Sequence, residues 1–205
     1  MEFCRCKERV RKQKKLSEEL GDSWTFIAVE RHTKFVLAFQ IGKRDLPACQ
    51  EFLNKLDRVV DGRFQMSTDG LTMYKHNVPY ALGSRVDFGM LIKKYKSEQV
   101  ETRYSPAQII SAEKRTVFGS PDPANICTSH IERLNLTLRM QMRRFTRLTN
   151  GFSKSLDHHR AMQAIFFVWY NWCRKHESIK KTPAMGNGLA SEKWTIEKMI
   201  SEVAI

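Results

Sequence analysis

The sequence predicts an α/β fold with a mixed sheet flanked by helices. Three observations carry that expectation. Two runs rich in β-branched and aromatic residues, 23–30 (SWTFIAVE) and 34–41 (KFVLAFQI), are separated only by Arg31-His32-Thr33, the spacing of an antiparallel hairpin. Such runs then alternate with segments of helical period as far as residue 91. Beyond residue 128 the helical segments take over.

Taken in order, residues 5–15 carry seven basic side chains and one acid, Glu8. They read as a polar segment or the tip of a long hairpin. A basic arm on DNA and a solvated linker suit them equally, and one further strand fits at the extreme N-terminus. Both strands of the hairpin are apolar almost throughout, which predicts a sheet covered on both faces. Asp45 is placed to cap the next helix, and Pro47 is tolerated in its first turn. Leu46, Cys49, Phe52, Leu53, Leu56 and Val60 recur at helical spacing until Asp61-Gly62 ends it. Residues 64–69 (FQMSTD) alternate as a strand ending at Asp69-Gly70. A helix over 71–82, interrupted near Pro79, and a strand over 85–91 come after it. Residues 93–128 are too long for a simple connection and predict an insertion with a small hairpin of its own near 109–117.

An arginine-rich helix capped by Thr128 or Ser129 comes next. A long helix over 153–176 then carries Phe152, Leu156, Met162, Ile165, Phe166, Trp169, Tyr170 and Cys173. A short helix capped by Ser191 closes the chain. The expected divisions are a basic N-terminal segment 1–20, an α/β body 21–178, and a C-terminal loop and helix 179–205.

The 205 residues include 35 Lys and Arg against 22 Asp and Glu, a net charge of +13. That balance points to an anionic partner, nucleic acid before an acidic membrane surface. A hydrophobic fraction of 41% supports a sizeable core and argues against a disordered chain. The five cysteines form no CxxC pair, which excludes a zinc ribbon or finger and leaves reduced thiols as the simple reading. No apolar run of about eighteen residues occurs, and no apolar signal core follows Met1-Glu2-Phe3, so a soluble intracellular protein is expected.

Between Ile131 and Lys154 five arginines and one lysine accompany a single acid, Glu132. On a helix, Glu132, Asn135, Arg139 and Arg143 share one face, and Leu134, Leu138 and Met142 another. One carboxylate in a basic face suits an acid that binds a metal beside a polyanion. A surface helix with intrahelical ion pairs explains it too. Asp69 ends a predicted central strand, at a sheet edge where side chains reach into a crevice. A turn aspartate in Thr-Asp-Gly is the plainer alternative. Converging carboxylates would hold Mg²⁺ (or Mn²⁺), and two such ions about 4 Å apart promote phosphodiester chemistry. Arg139, Arg143, Arg144 and Arg147 are the expected phosphate contacts. Arg174 is a candidate DNA contact and Asn171 a structural residue. Trp24 is expected to pack in the sheet, and His158 and His159 to form a surface pair.

Several stretches carry a family resemblance: Gly21-Asp22-Ser23-Trp24-Thr25-Phe26, Thr33-Lys34-Phe35, Ser67-Thr68-Asp69-Gly70, Arg103-Tyr104-Ser105-Pro106, and above all residues 131–137 through 143–149. Phe152-Ser153-Lys154, Tyr170 to His176 and Thr182 to Met185 continue it in order. Over residues 21–185 the chain resembles transposases of the insertion-sequence-one family, which are DDE-type enzymes. The resemblance implies an RNase H-like fold with a DDE triad and Mg²⁺. Asp69 matches the second aspartate and Glu132 the glutamate. The family's first aspartate, in an Asp-Glu pair before a short aromatic stretch resembling Met1 to Cys4, has no counterpart here, nor has its N-terminal DNA-binding region. Asp22 corresponds to a different family position, and Glu30 is assigned no catalytic role. The expectation is therefore a transposase catalytic domain shortened at its front. Its strand cleavage and transfer would be impaired and its metal weakly bound. A DNA-binding remnant or inhibitor without chemistry is the alternative. The implied partners are DNA (terminal repeats and target), a second copy or a full-length transposase, and no membrane. Nucleoid association would follow.

Overall fold

The computed structural model describes residues 2–4, 6–18, 20–95, 109–146 and 150–203. The chain is mixed α/β and divides into two compact units, Met1–Val59 with His130–Ile205, and Val60–Ser129.

The first stretch of the discontinuous unit runs β1 (Glu2–Cys4), α1 (Glu8–Gln13), β2 (Gly21–Val29), β3 (Val36–Gly42) and α2 (Leu46–Val59). The three strands form an antiparallel sheet in sequence order. The expected hairpin is β2–β3, with a bulge at Ala28/Val29. Its turn is closed by Glu30, whose carboxylate accepts from the backbone N–H of His32 (2.9 Å) and Thr33 (2.5 Å). Asp45 caps α2 as its position predicts, accepting from Ala48 N at 3.1 Å. Cys49, Phe52, Leu53 and Leu56 are buried, whereas Leu46 is exposed, so the buried stripe starts one turn inside the helix.

The basic segment lies in the connection of the antiparallel β1–β2 pair, in keeping with the hairpin-tip reading, and folds there into α1. Its anchor is Glu8. Arg11 donates to Oε1 from Nε (2.8 Å) and Nη2 (2.5 Å), and Asp22 N donates to Oε2 at 3.2 Å. Glu8 N donates in return to Asp22 Oδ1 at 3.2 Å, which fixes Asp22 in a structural role. The Arg11 guanidinium, helped by Asp22 N–H and Lys43, pulls the Glu8 carboxyl from 4.5 down to about 2. A depressed carboxylate contributes stability that is fully present above its unfolded value and lost as pH falls through its folded one. Glu8→Gln is therefore expected to flatten the fall in urea midpoint between about pH 5 and 2. A variant curve parallel to the wild type over that window would show that Glu8 has no part in the acid sensitivity.

The contiguous unit holds β4 (Phe64–Asp69), α3 (Tyr74–Leu82), β5 (Val86–Tyr95) and β6 (Ile109–Phe118). β4 runs parallel to β5 through the α3 crossover, and β6 is antiparallel to β5, so this sheet is mixed. Val78, Leu82, Val86, Phe88, Met90 and Ile126 are its buried hydrophobics. Gly89 is required for close packing, because a Cβ there would fall 2.4 Å from Ile126 Cδ1. Pro79 lies inside α3 without interrupting it. The separate hairpin expected near 109–117 does not form. β5 extends four residues further than its apolar run suggests, and this extra length gives 109–118 a ready partner.

The chain then completes the first unit with α4 (Ser129–Gln141), a 3-10 turn at Arg143–Phe145, α5 (Leu156–Val168), α6 (Pro183–Gly186) and α7 (Ile196–Val203). α5 continues into a π turn at Trp169–Cys173. The core of this unit joins Val36 to Leu134, Leu138, Met142, Phe145, Phe166, Phe167 and Tyr170. Leu134 and Leu138 share a buried face of α4, and Met142, extended beyond the helix end, is buried with them. α5 buries His159, Gln163, Phe166 and Phe167 and leaves Met162 and Ile165 exposed, against expectation. α7 is capped by Thr195, whose Oγ1 accepts from Lys198 N at 3.2 Å, not by Ser191. Among the described residues no helix is long and apolar enough to cross a membrane.

Candidate nucleic-acid interface

α4 begins directly after the buried Thr128 and carries His130 and Glu132 in its first turn. It is tied to the hairpin turn of its own unit by Lys34, whose Nζ sits 3.2 Å from His130 Nδ1 and also donates to Arg31 O. Lys34 adopts φ 64, a left-handed conformation that a lysine enters at a cost, so a cation is held here despite backbone strain. Burial lowers the pKa of His130, and Lys34, Arg31 and His32 lower it further. Sequence reasoning used Thr33-Lys34-Phe35 only as a matching stretch and missed this cluster. The signal available was a lysine in a tight turn where glycine or asparagine is the usual residue.

Glu132 is exposed on that same first turn, and Arg139 is exposed on the last. Arg139 donates from Nε to Asn135 O at 3.2 Å. Arg143 does not share the helical face with Glu132. The helix ends at Gln141 and Met142 is extended (φ −109, ψ 107), so Arg143 is exposed on the 3-10 turn instead. Arg144, on the same turn, is half-buried and donates from Nη1 to Ser153 Oγ at 3.1 Å. Arg147 lies outside the described residues, as does the Arg103-Tyr104-Ser105-Pro106 stretch.

Arg174 closes the π turn. Its Nη1 donates to Gln141 Oε1 at 3.1 Å, and its guanidinium carbon lies 5.7 and 5.8 Å from the Trp169 and Tyr170 rings. Those interactions bind it to α4 and to its own aromatic neighbours. Asn171 is structural: its Oδ1 accepts from Val36 N at 2.9 Å and its Nδ2 donates to Val36 O at 3.0 Å. His176 is wedged edge-on against Tyr170, and burial pushes its pKa down to about 4. His158 is exposed, but His159 is buried, so the two are not a surface pair. Trp24 is half-buried in β2 with Arg44 stacked 4.6 Å over its ring.

In the contiguous unit, Asp69 ends β4 opposite Leu91 of β5 and is exposed. Its Oδ1 accepts from Leu71 N at 3.2 Å, the Asx turn that a Thr-Asp-Gly corner favours. Asp69 and Glu132 thus belong to different units. Each offers the oxygen donors that a hard divalent cation takes. Among the described residues no group of three or more His, Cys, Asp or Glu side chains is placed to hold a metal ion. Donor type suits Mg²⁺, while donor number falls short within the described residues. Comparisons with protein-family models, curated proteins and solved structures gave no match.

Proposed function

We propose that this is a DNA-binding protein of the DDE-transposase kind, related in fold to RNase H, in which Asp69 and Glu132 serve phosphodiester chemistry. The observation that carries the reading is the arginine-bearing surface of α4 and its following turn, with Glu132 as the only acid among those residues, in a chain of net charge +13. The antiparallel β1–β2–β3 meander and the parallel β4–β5 pair, with Asp69 at the carboxyl end of β4, are consistent with it. Asp69 and Glu132 would each offer oxygens to Mg²⁺ or Mn²⁺, weakly at so few donors, and such an ion would supply charge neutralisation to a phosphodiester. The protein's own part is to grip the phosphodiester backbone with the arginines of α4 and its following turn, beside the Glu132 carboxylate of the same unit. Element ends and target DNA are the substrates of such an enzyme, with a second copy of the chain as a natural partner.

One observation favours a second reading, binding without chemistry: Asp69 already spends one oxygen on its turn. Asp69→Asn separates the two, because asparagine keeps the Oδ1 acceptor and loses the charge. Nicking of supercoiled plasmid in Mg²⁺ is expected to be slow and to vanish in both Asp69→Asn and Glu132→Gln. Nicking retained in Asp69→Asn would leave that residue a turn former only. DNA binding with no nicking in the wild type would establish the second reading.

A further inference from the structure

A chain of polar side chains runs through the core of the discontinuous unit. Ser153 and His159 are each 1% exposed and Gln163 is 0% exposed. Gln163 Oε1 accepts from Thr25 Oγ1 at 3.1 Å, and its Nε2 donates to His159 Nε2 at 2.8 Å. With Nε2 accepting, the proton of His159 sits on Nδ1, which donates to Ser153 Oγ at 2.7 Å. Ser153 Oγ also accepts from Arg144 Nη1 at 3.1 Å. The chain thus starts on β2, crosses α5 and ends on a cation of the basic segment.

Burying three polar side chains in sequence costs desolvation that an apolar core would avoid, so stability alone does not explain them. A satisfied polar chain supplies fixed geometry instead. Three further interactions tighten it. The Phe145 ring stacks on the His159 imidazole with centroids 5.5 Å apart, so the residue after Arg144 is locked into the same assembly. Ser153 is joined by a β-bridge to Cys4 of β1, which is itself fully buried. Phe145 belongs to the core cluster with Leu138 and Phe166. Arg144 is therefore held through both its side chain and its neighbour, while Arg143 beside it is exposed.

We propose that Thr25, Gln163, His159 and Ser153 form a positioning relay that presents the Arg144 guanidinium in one orientation to a DNA phosphate. This rests on the DNA-binding reading and adds which arginine is preorganised and by what. Phosphate recognition by a guanidinium is directional, through parallel N–H donors. A fork fixed at Nη1 by a buried hydroxyl loses less freedom when its other donors meet phosphate.

The test is the slope of log K against log[salt] for binding to a short random-sequence duplex. Removing a single arginine–phosphate pairing flattens that slope by about 0.9. Arg144→Ala is expected to show that change, and Ser153→Ala most of it. The double variant should be no flatter than Arg144→Ala alone. Ser153→Thr, which keeps the hydroxyl, should restore the wild-type slope. Thr25→Val, remote from Arg144 and nearly isosteric, should shift the slope in the same direction by less, and it serves if Ser153→Ala folds poorly. A Ser153→Ala slope equal to wild type, or effects of Ser153→Ala and Arg144→Ala that add, would overturn the relay. A wild-type slope near zero would instead sink the DNA-binding reading on which it rests.

Discussion

Replacing Asn171 with leucine is expected to destabilise the protein by about 2–6 kcal/mol, because a buried backbone donor and acceptor would each lose a partner at about 1–3 kcal/mol. Val36 begins β3 beside the bulge at Ala28/Val29, and Asn171 makes both of the hydrogen bonds that a neighbouring strand would make there. Both residues are buried, so water cannot substitute. Val36 is also the contribution of β3 to the core shared with α4 and α5. Loosening its backbone should therefore loosen that cluster too. Urea unfolding measures the destabilisation. Leu136→Ala, an exposed position on α4, should change the midpoint little. An Asn171→Leu midpoint as close to wild type as that control would show that Val36 finds its partners elsewhere.

The largest effect on binding is expected from removing Arg139, Arg143 and Arg144 together. Three phosphate pairings correspond to a decrease of about 2.7 in the salt slope, at about 0.9 for each. Arg139 donates from Nε to its own helix and Arg144 from Nη1 to Ser153, and Arg143 is exposed, so among the described residues each arginine retains donors for phosphate. Arg174→Ala should cost less in slope, since its guanidinium is engaged by Gln141 and two aromatic rings. Fluorescence anisotropy at several salt concentrations separates these cases. A triple variant with the wild-type slope would move the interface away from α4.

Local chemistry made much of the fold legible. Asp45 before a helical stripe and the alternation of FQMSTD placed α2 and β4 correctly, because a cap and a period of two are properties of neighbouring residues. The face of Leu134 and Leu138 was readable for the same reason. The features that escaped depended on partners distant in sequence. The exposed, mostly polar β6 has little apolar alternation of its own and is a strand because β5 is long enough to pair with it. The end of α4 before Arg143 is set by Met142 turning extended into the core, which helical spacing cannot announce. The π turn at Trp169–Cys173 adds a residue to one helical turn, so a strict 3.6-residue period misplaces the residues beyond it. Of the candidate site, the residue types and the basic helix were visible in the sequence. The Lys34–His130 pairing, the buried state of His159 and the tether on Arg144 were not, since each is set by tertiary packing rather than by local pattern.

The division of the chain carries a consequence for its biosynthesis. Val36 and Leu134 share one core but are separated by the whole of Val60–Ser129. At about 5–20 residues per second, a ribosome delivers Leu134 roughly 5–20 s after Val36. During that interval the contiguous unit has all its strands and can close, while the β2–β3 hairpin must wait with its apolar inner face uncovered. The nascent chain is thus most in need of a chaperone in the middle of its synthesis. A translational pause after residue 129 would lengthen that exposure rather than help the chain fold.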